Sequence, residues 1–538
     1  MPDSPLVIEN LSFRYRDRQG VAIHDISFDT KPGEILLIAG ASGCGKTTLI
    51  RCINGLIPRS YKGERSGRIT VFGEEVKDWP LSRISQKIGT VLQDPERQIL
   101  GTKVLNEVAF GLENLGMPRT EIYERVRAAL DILEISHLHD RDTFTLSGGE
   151  KQKVALAGVL AMKPSILLLD EPLASLDPAS AWDSLNTIRL LANQGMTVLL
   201  IEHRVEDVLR IQPERVMFMS EGEIRYLGNL SGLSKVVNYR EVKLPAPDIV
   251  ERAKQDQPPA EITILPGAVN SKSGSEALVR FENVSFGYES DVQVLHGIDL
   301  EIKRGDVIAV LGPNGSGKTT FVKHAIGLLK PKSGRVLVDG RDTKDASVAQ
   351  IASTLGYVFQ SPSHMLFAPT VHEELAFGPT NMKHSKEQIE QEVKEALRIV
   401  NLSDQGQDPP LALSFGQQKR VSIAAILAMQ SRILVMDEPT AGQDYQNYMN
   451  FMDSILQLPG FEAILFITHD VDLAVIYANR VLIVADGHLI ADGKPQDVLH
   501  DFDRLRANRL VPTSLLSLNL KRLSTTGRFM RAEALAHV

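Results

Sequence analysis

The chain writes one long sentence twice. GASGCGKTT at 40–48 returns as GPNGSGKTT at 312–320, LSGGEKQK at 146–153 as LSFGQQKR at 413–420, LLLDEP at 167–172 as LVMDEP at 434–439, and LLIEH at 199–203 as LFITH at 465–469. Lys46 and Lys318 lie 272 residues apart, Ser147 and Ser414 267, Asp170 and Asp437 267, and His203 and His469 266. So constant an offset requires two copies of one domain, and the period is far too long for a solenoid. The 538 residues suit two domains. We expect units at 1–235 and 276–500, a Pro/Ser/Gly-containing linker at 236–275 and a basic tail at 501–538.

Composition removes several classes. A net charge of −8 argues against nucleic acid as the main partner. Two cysteines, Cys44 and Cys52, build neither a disulfide framework nor a zinc cluster. No apolar run reaches the ~18–20 residues of a membrane helix, and MPDSPLVIEN has no secretory character. Runs such as SILLLD and TVLLIE have the length of parallel strands buried on both faces, which predicts an α/β fold.

GASGCGKT and GPNGSGKT each follow an apolar run and precede a helical pattern, the context of a phosphate-binding loop. Gly40, Ser42, Gly43, Gly45 and Thr48, with Gly312, Asn314, Gly315, Gly317 and Thr320, wrap backbone around phosphate oxygens. Lys46 and Lys318 supply positive charge, and Thr47 and Thr319 offer a hydroxyl to Mg²⁺. Asp170 and Asp437 end a buried strand and can hold Mg²⁺, while Glu171 and Glu438 can polarise an attacking water. His203 and His469 occupy matching positions suited to a γ-phosphate contact. Ser147, Gly148 and Gly149, with Ser414, Phe415 and Gly416, open two helices and offer a second anion site. Since each copy has its own loop, that second site should serve the nucleotide of the other copy, pairing Lys46 with Ser414 and Lys318 with Ser147 head to tail.

Phosphate loop, LSGGE or LSFGQ signature, strand-end Asp-Glu and downstream His, in that order, resemble the nucleotide-binding domain of ATP-binding-cassette proteins. The resemblance implies tandem P-loop cassettes, each with a mainly parallel core sheet, an antiparallel β subdomain and a helical subdomain, and an ATPase using Mg²⁺ with ATP. It implies adenine stacking for Tyr15 and Tyr288, Mg²⁺ ligation and partner contact for Gln93 and Gln360, and interface roles for Asp177 and Asp444. After Gln93 and Gln360, an apolar pair and a V-x-x-E-x-AFG stretch resemble the ATPases of energy-coupling-factor importers, and LSFGQQKRVSIA with EPTAGQD resemble the fused two-cassette ATPases of that group, including those assigned to thiamine or its hydroxymethylpyrimidine precursor or to cobalt. That implies a transmembrane coupling subunit, a substrate-binding membrane subunit, and a peripheral place on the cytoplasmic face of the membrane. An ATPase of another importer class, such as sugar, or a soluble ribosome-associated ATPase are the alternatives.

Three expectations come from departures within the pattern. Phe415 adds bulk at the first signature glycine, so the Lys46/Ser414 site should be slower, unless the ring only packs against a neighbouring helix. Cys44 lies inside a phosphate loop, so thiol alkylation should block one site. From Arg504 to Val538 the tail carries Arg504, Arg506, Arg509, Lys521, Arg522, Arg528 and Arg531 against Glu533, which suits either contact with an anionic surface or a solvated end.

Overall fold

The computed structural model describes residues 4–17, 20–174, 176–259, 277–288, 292–440 and 443–538. The chain divides into Met1–Pro245 with Gly442–Gln446, and Ala246–Ala441 with Asn447–Val538.

In the first unit, β1 (Leu6–Tyr15), β2 (Ile23–Asp29), β4 (Gly63–Val71) and β5 (Glu74–Glu75) form an antiparallel sheet in the order β2-β1-β4-β5. β3 (Ile35–Ala39), β6 (Ile88–Val91), β7 (Ile166–Asp170), β8 (Thr197–Ile201), β9 (Arg215–Ser220) and β10 (Glu223–Gly228) form the second sheet, in the order β10-β9-β3-β8-β7-β6. It is parallel except for its β9–β10 edge. Every residue of β3, β7 and β8 is buried, as a parallel sheet covered on both faces requires. Each Leu, Ile or Val so buried contributes about 1.5–3 kcal/mol. Helices Val104–Asn114, Arg119–Ile132 and Gly148–Ala161 pack together as a separate helical layer.

The second unit repeats this plan. β11 (Ala277–Phe286), β12 (Leu295–Lys303), β14 (Ser333–Val338) and β15 (Arg341–Asp342) pair as β12-β11-β14-β15. β13 (Val307–Leu311), β16 (Leu355–Val358), β17 (Ile433–Asp437), β18 (Ala463–Ile467), β19 (Arg480–Ala485) and β20 (His488–Gly493) pair as β16-β17-β18-β13-β19-β20, the first unit's order read from the other end. Helices Val371–Asn381, Lys386–Ile399 and Phe415–Ala428 enclose a small apolar core around Leu375, Leu397 and Val421.

The boundaries differ from the sequence reading in two places. Residues 236–275 do not form a linker throughout. Helix Ala246–Ala253 belongs to the second unit, and 260–276 fall outside the described residues. The basic tail forms helices Phe502–Ala507, Ser514–Thr526 and Ala532–Leu535, which bury Leu505, Leu510, Leu516 and Leu535. Arg531 donates to both oxygens of Asp453, at 2.8 and 3.2 Å, and lies over Tyr477. Arg522 donates to the Leu535 carbonyl, and Ser514 accepts from the Ala246 N–H at 2.8 Å. The charge count suggested a solvated or membrane-touching end, but several of these cations are consumed inside the fold. Among the described residues, no helix is long and apolar enough to cross a membrane.

Candidate active sites

In each unit the phosphate loop joins a buried central strand to a helix, Lys46–Ile53 or Lys318–Ala325. Gly40 and Gly312 stand at φ 152° and 151°, and a Cβ there would lie 2.3 Å from the Met219 carbonyl oxygen and 2.0 Å from that of Val484. Only glycine fits so close a backbone approach. The Lys46 ammonium donates to the Gly40 and Ala41 carbonyls, both at 2.8 Å, and Lys318 to Gly312 and Pro313 at 2.8 and 2.7 Å. Both cations are thereby held at the loop mouth, beside the first N–H groups of a helix, where an anion is stabilised.

Tyr15 bonds Thr48 at 3.1 Å and is half-buried against Phe13 and Tyr61, whereas Tyr288, bonded to Thr320 at 3.3 Å, is exposed. A stacking role is therefore sterically easier at Tyr288. Cys44 is buried, its Sγ 3.8 Å from Lys46, and burial pushes its thiol up despite that charge. A buried thiol disfavoured as thiolate is a poor nucleophile, which opposes the alkylation expected from sequence.

At the end of β7, burial and the neighbouring Glu171 charge push the Asp170 carboxyl up to about 6, and its Oδ1 has no hydrogen-bond partner among the described residues. An orphaned buried carboxylate oxygen beside the Thr47 hydroxyl fits a hard cation. No group of three His, Cys, Asp or Glu among the described residues could hold a metal unaided. The Thr47 hydroxyl and the Asp170 carboxylate are hard oxygen donors of the kind Mg²⁺ takes. Asp437 is more heavily tied: its Oδ2 accepts from Thr319 at 3.1 Å and from Tyr357 at 2.7 Å.

One residue on, Glu171 and Glu438 stand at φ 51° and 45°, a backbone region uncommon for side-chain-bearing residues and often functional where it occurs. Glu171 Oε1 pairs with His203 Nε2 at 2.9 Å, and its Oε2 accepts from Gln93 at 2.6 Å. Glu438 Oε1 pairs with His469 Nδ1 at 2.9 Å, and among the described residues Gln360 makes no bond to it. The sequence reading assigned these carboxylates and histidines separately. The fold makes them contact pairs.

Ser147 and Ser414 cap their helices reciprocally with Glu150 and Gln417. The ring of Phe415 folds back along its own helix onto Lys419, 4.9 Å from the ammonium. This contact lies within the ring's own helix, where the sequence suggested packing against a neighbouring one. Asp177 caps helix Pro178–Asn193 by accepting from Ser180 N at 3.0 Å. Asp444 is buried and accepts from Ser42 N at 2.8 Å.

Several groups escaped the sequence reading. Gln152 and Lys419, at matching positions, donate to the Pro172 and Pro439 carbonyls just after the glutamates. Glu202, in the first unit only, accepts from Leu173 N at 2.7 Å and His203 N at 3.1 Å, and burial followed by the Glu171 charge pushes it up to about 7. The second unit has Thr468 there, which accepts from Asp470 N. A charge at the end of LLIEH against none in LFITH was the available signal.

Beyond Gln93 and Gln360, Glu107 accepts from Leu100 N and Gly101 N at 2.7 and 2.6 Å, and Glu374 from Phe367 N and Ala368 N, both at 2.8 Å. These are the glutamates of V-x-x-E-x-AFG. They fix the backbone at Leu100 and Phe367, and Leu100, Phe110 and Phe144, with Phe367, Phe377 and Leu411 at matching positions, are between 45% and 72% exposed. Phe367 and Phe377 meet edge to face at 4.8 Å.

Comparison with known proteins agrees with this geometry. The chain matches the ABC transporter family over 23–174 and 295–441. It is 36% identical over 554 residues to a protein of Caldanaerobacter subterraneus subsp. tengcongensis, covering 96% of each chain, and 34% identical over 556 residues to one of Methanosarcina mazei, covering 97% of this chain and 94% of that one. Both are named as ABC transporter ATP-binding proteins. A solved structure of cbiO1 from Clostridium perfringens, part of the ABC transporter complex cbiONQ, is 31% identical with a TM-score of 0.39, covering 49% of this chain and 100% of that one.

Proposed function

The chain belongs to the ABC transporter family as a tandem-cassette ATPase, and we propose that it powers import of a vitamin or metal micronutrient through separate membrane subunits of the energy-coupling-factor type. The observation that carries this reading is the duplicated exposed apolar patch beside Gln93 and Gln360, next to the backbone fixed by Glu107 and Glu374. Exposed apolar side chains clustered at equivalent places in both halves suit helices presented by a membrane subunit. The cargo is proposed to be thiamine or its hydroxymethylpyrimidine precursor, on the resemblance of LSFGQQKRVSIA and EPTAGQD to fused two-cassette ATPases so assigned. The ATPase is proposed to sit at the cytoplasmic face of the membrane as a peripheral subunit.

The roles proposed for the residues combine this geometry with the motif resemblance. Lys46 and Lys318 hold outer phosphates, and Tyr15 and Tyr288 lie against adenine. Thr47 with Asp170 and Gln93, and Thr319 with Asp437 and Gln360, would hold Mg²⁺, which supplies charge neutralisation on the phosphates. Glu171 and Glu438 take the proton of the attacking water, and His203 and His469 orient those carboxylates and face the γ-phosphate. Intramolecular pairing of the cassettes, with Ser147 and Ser414 each serving the other's nucleotide and Asp177 and Asp444 at the interface, is carried over from the motif order.

The test is a mild-detergent pull-down of the tagged chain from its native cells, beside Phe110→Asp and Phe377→Asp. Small polytopic membrane proteins should accompany the wild type and be lost, about tenfold or more, from the variants. Ribosomal proteins instead, or membrane proteins retained by both variants, would overturn the reading.

A further inference from the structure

Lys419 is the least expected residue near either centre. It is 1% exposed, on the inner side of helix Phe415–Ala428, and its ammonium donates to the Pro439 carbonyl at 2.5 Å. Pro439 follows Glu438, whose φ of 45° makes this a tight left-handed turn. An ammonium taken out of water needs compensation. Here it comes from that carbonyl, from the charge of Glu438, and from two aromatic faces, Phe415 at 4.9 Å and Phe451 at 5.6 Å.

The first cassette performs the same anchoring without charge. Gln152 donates its amide to the Pro172 carbonyl after Glu171, and the residue one turn earlier is Gly148. The neutral anchor thus goes with a glycine, and the charged anchor goes with a ring that covers it. Positions i and i+4 of a helix lie on one face, so the two differences form one paired change.

We infer that Phe415 and Lys419 act together as a positioning unit for Glu438, Lys419 fixing the turn that aims its carboxylate and Phe415 shielding the ammonium that does so. The inference rests on Glu438 being the base of its own cassette. It makes Phe415 a support for the Lys318 loop's chemistry rather than an obstruction at a signature sequence.

The experiment measures steady-state kcat and KM for Mg-ATP, and melting temperature, on the full chain and on Glu438→Gln, Lys419→Gln, Phe415→Gly and the double variant Phe415→Gly/Lys419→Gln. Glu438→Gln sets how much turnover passes through this base. Lys419→Gln should lower kcat about tenfold with KM changed less than about twofold, as expected when a reacting group is misaimed. The double variant installs the first cassette's pair and should recover to within about threefold of wild type. If Lys419→Gln leaves kcat intact while Glu438→Gln does not, the positioning role is wrong and the base assignment stands. A fall in kcat that follows melting temperature, with no recovery in the double variant, makes the pair merely structural and also overturns it. Turnover retained by Glu438→Gln removes the base assignment and the inference with it.

Discussion

The two cassettes share a strand order and differ in what is buried behind the glutamate proposed as the base. In the first, Glu171 is tied to His203 and Gln93, Glu202 places an acid beneath the same turn, and the anchor is the neutral Gln152. In the second, Glu438 is tied to His469, the position of Glu202 is Thr468, and the anchor is the cation Lys419. One scaffold therefore carries a buried acid behind one glutamate and a buried base behind the other. Duplication frees the two copies to diverge in such second contacts while the phosphate loops, whose backbone geometry tolerates only glycine at Gly40 and Gly312, stay fixed.

The largest effect that can break this comparison is loss of either base. Glu171→Gln and Glu438→Gln should each lower ATP turnover by about 10²–10⁴-fold through the affected base, and by unequal amounts because the residues buried behind the two glutamates differ. Equal losses in steady-state assays would erase the asymmetry.

A buried acid and a buried base give stability of opposite slope. Glu202 is raised from 4.5 to about 7, so the folded state holds its proton longer, and stability falls as pH rises from about 4.5 through 7. Lys419 is lowered from 10.5 to about 7, mainly by burial, so the unfolded state binds the extra proton, and stability rises from about pH 7 towards 10.5. Glu202→Thr should remove the first slope and Lys419→Gln the second, as differences of about a few degrees in melting temperature across those windows. Thermal melts with parallel pH profiles for variants and wild type would refute both.

The smallest effect concerns the cation. Tyr357 donates to Asp437, and Thr90 occupies its place in the first cassette. Tyr357→Phe should shift the Mg²⁺ concentration for half-maximal turnover about two- to tenfold, while Thr90→Val leaves it near wild type. Equal responses would show that the hydroxyl does not tune its carboxylate.

The placement of the loop glycines, the strand-end acids and the helix-opening serines was legible because these residues act through local backbone, which spacing records. The α/β class followed from buried runs such as ILLLD. Lys419 was not legible: within QQKRVSIA it reads as one cation of a solvated helix face, and only the fold turns it inward. The tail failed for the same reason. Arg531 finds Asp453 78 positions upstream, a pairing that no local window contains. The glutamates of V-x-x-E-x-AFG were read as part of a likeness, and their bonds to Leu100 N and Phe367 N explain why that spacing recurs.

The clasp formed by helix Ala246–Ala253 with the last helices has a practical meaning for anyone dividing this chain. The second cassette is fastened from both sides, by a segment that precedes its first strand and by the segment that follows its last. A half-protein cut at the motif borders, 277–500, would strip Asp453 and Tyr477 of Arg531 and bare the surface beneath Leu516. A half beginning at 246 and running to 538 keeps both ends of the fastening. Gene fusion and gene fission are thus not symmetrical operations on this protein: the seam that joins its halves lies ahead of residue 246, not at the start of the repeat.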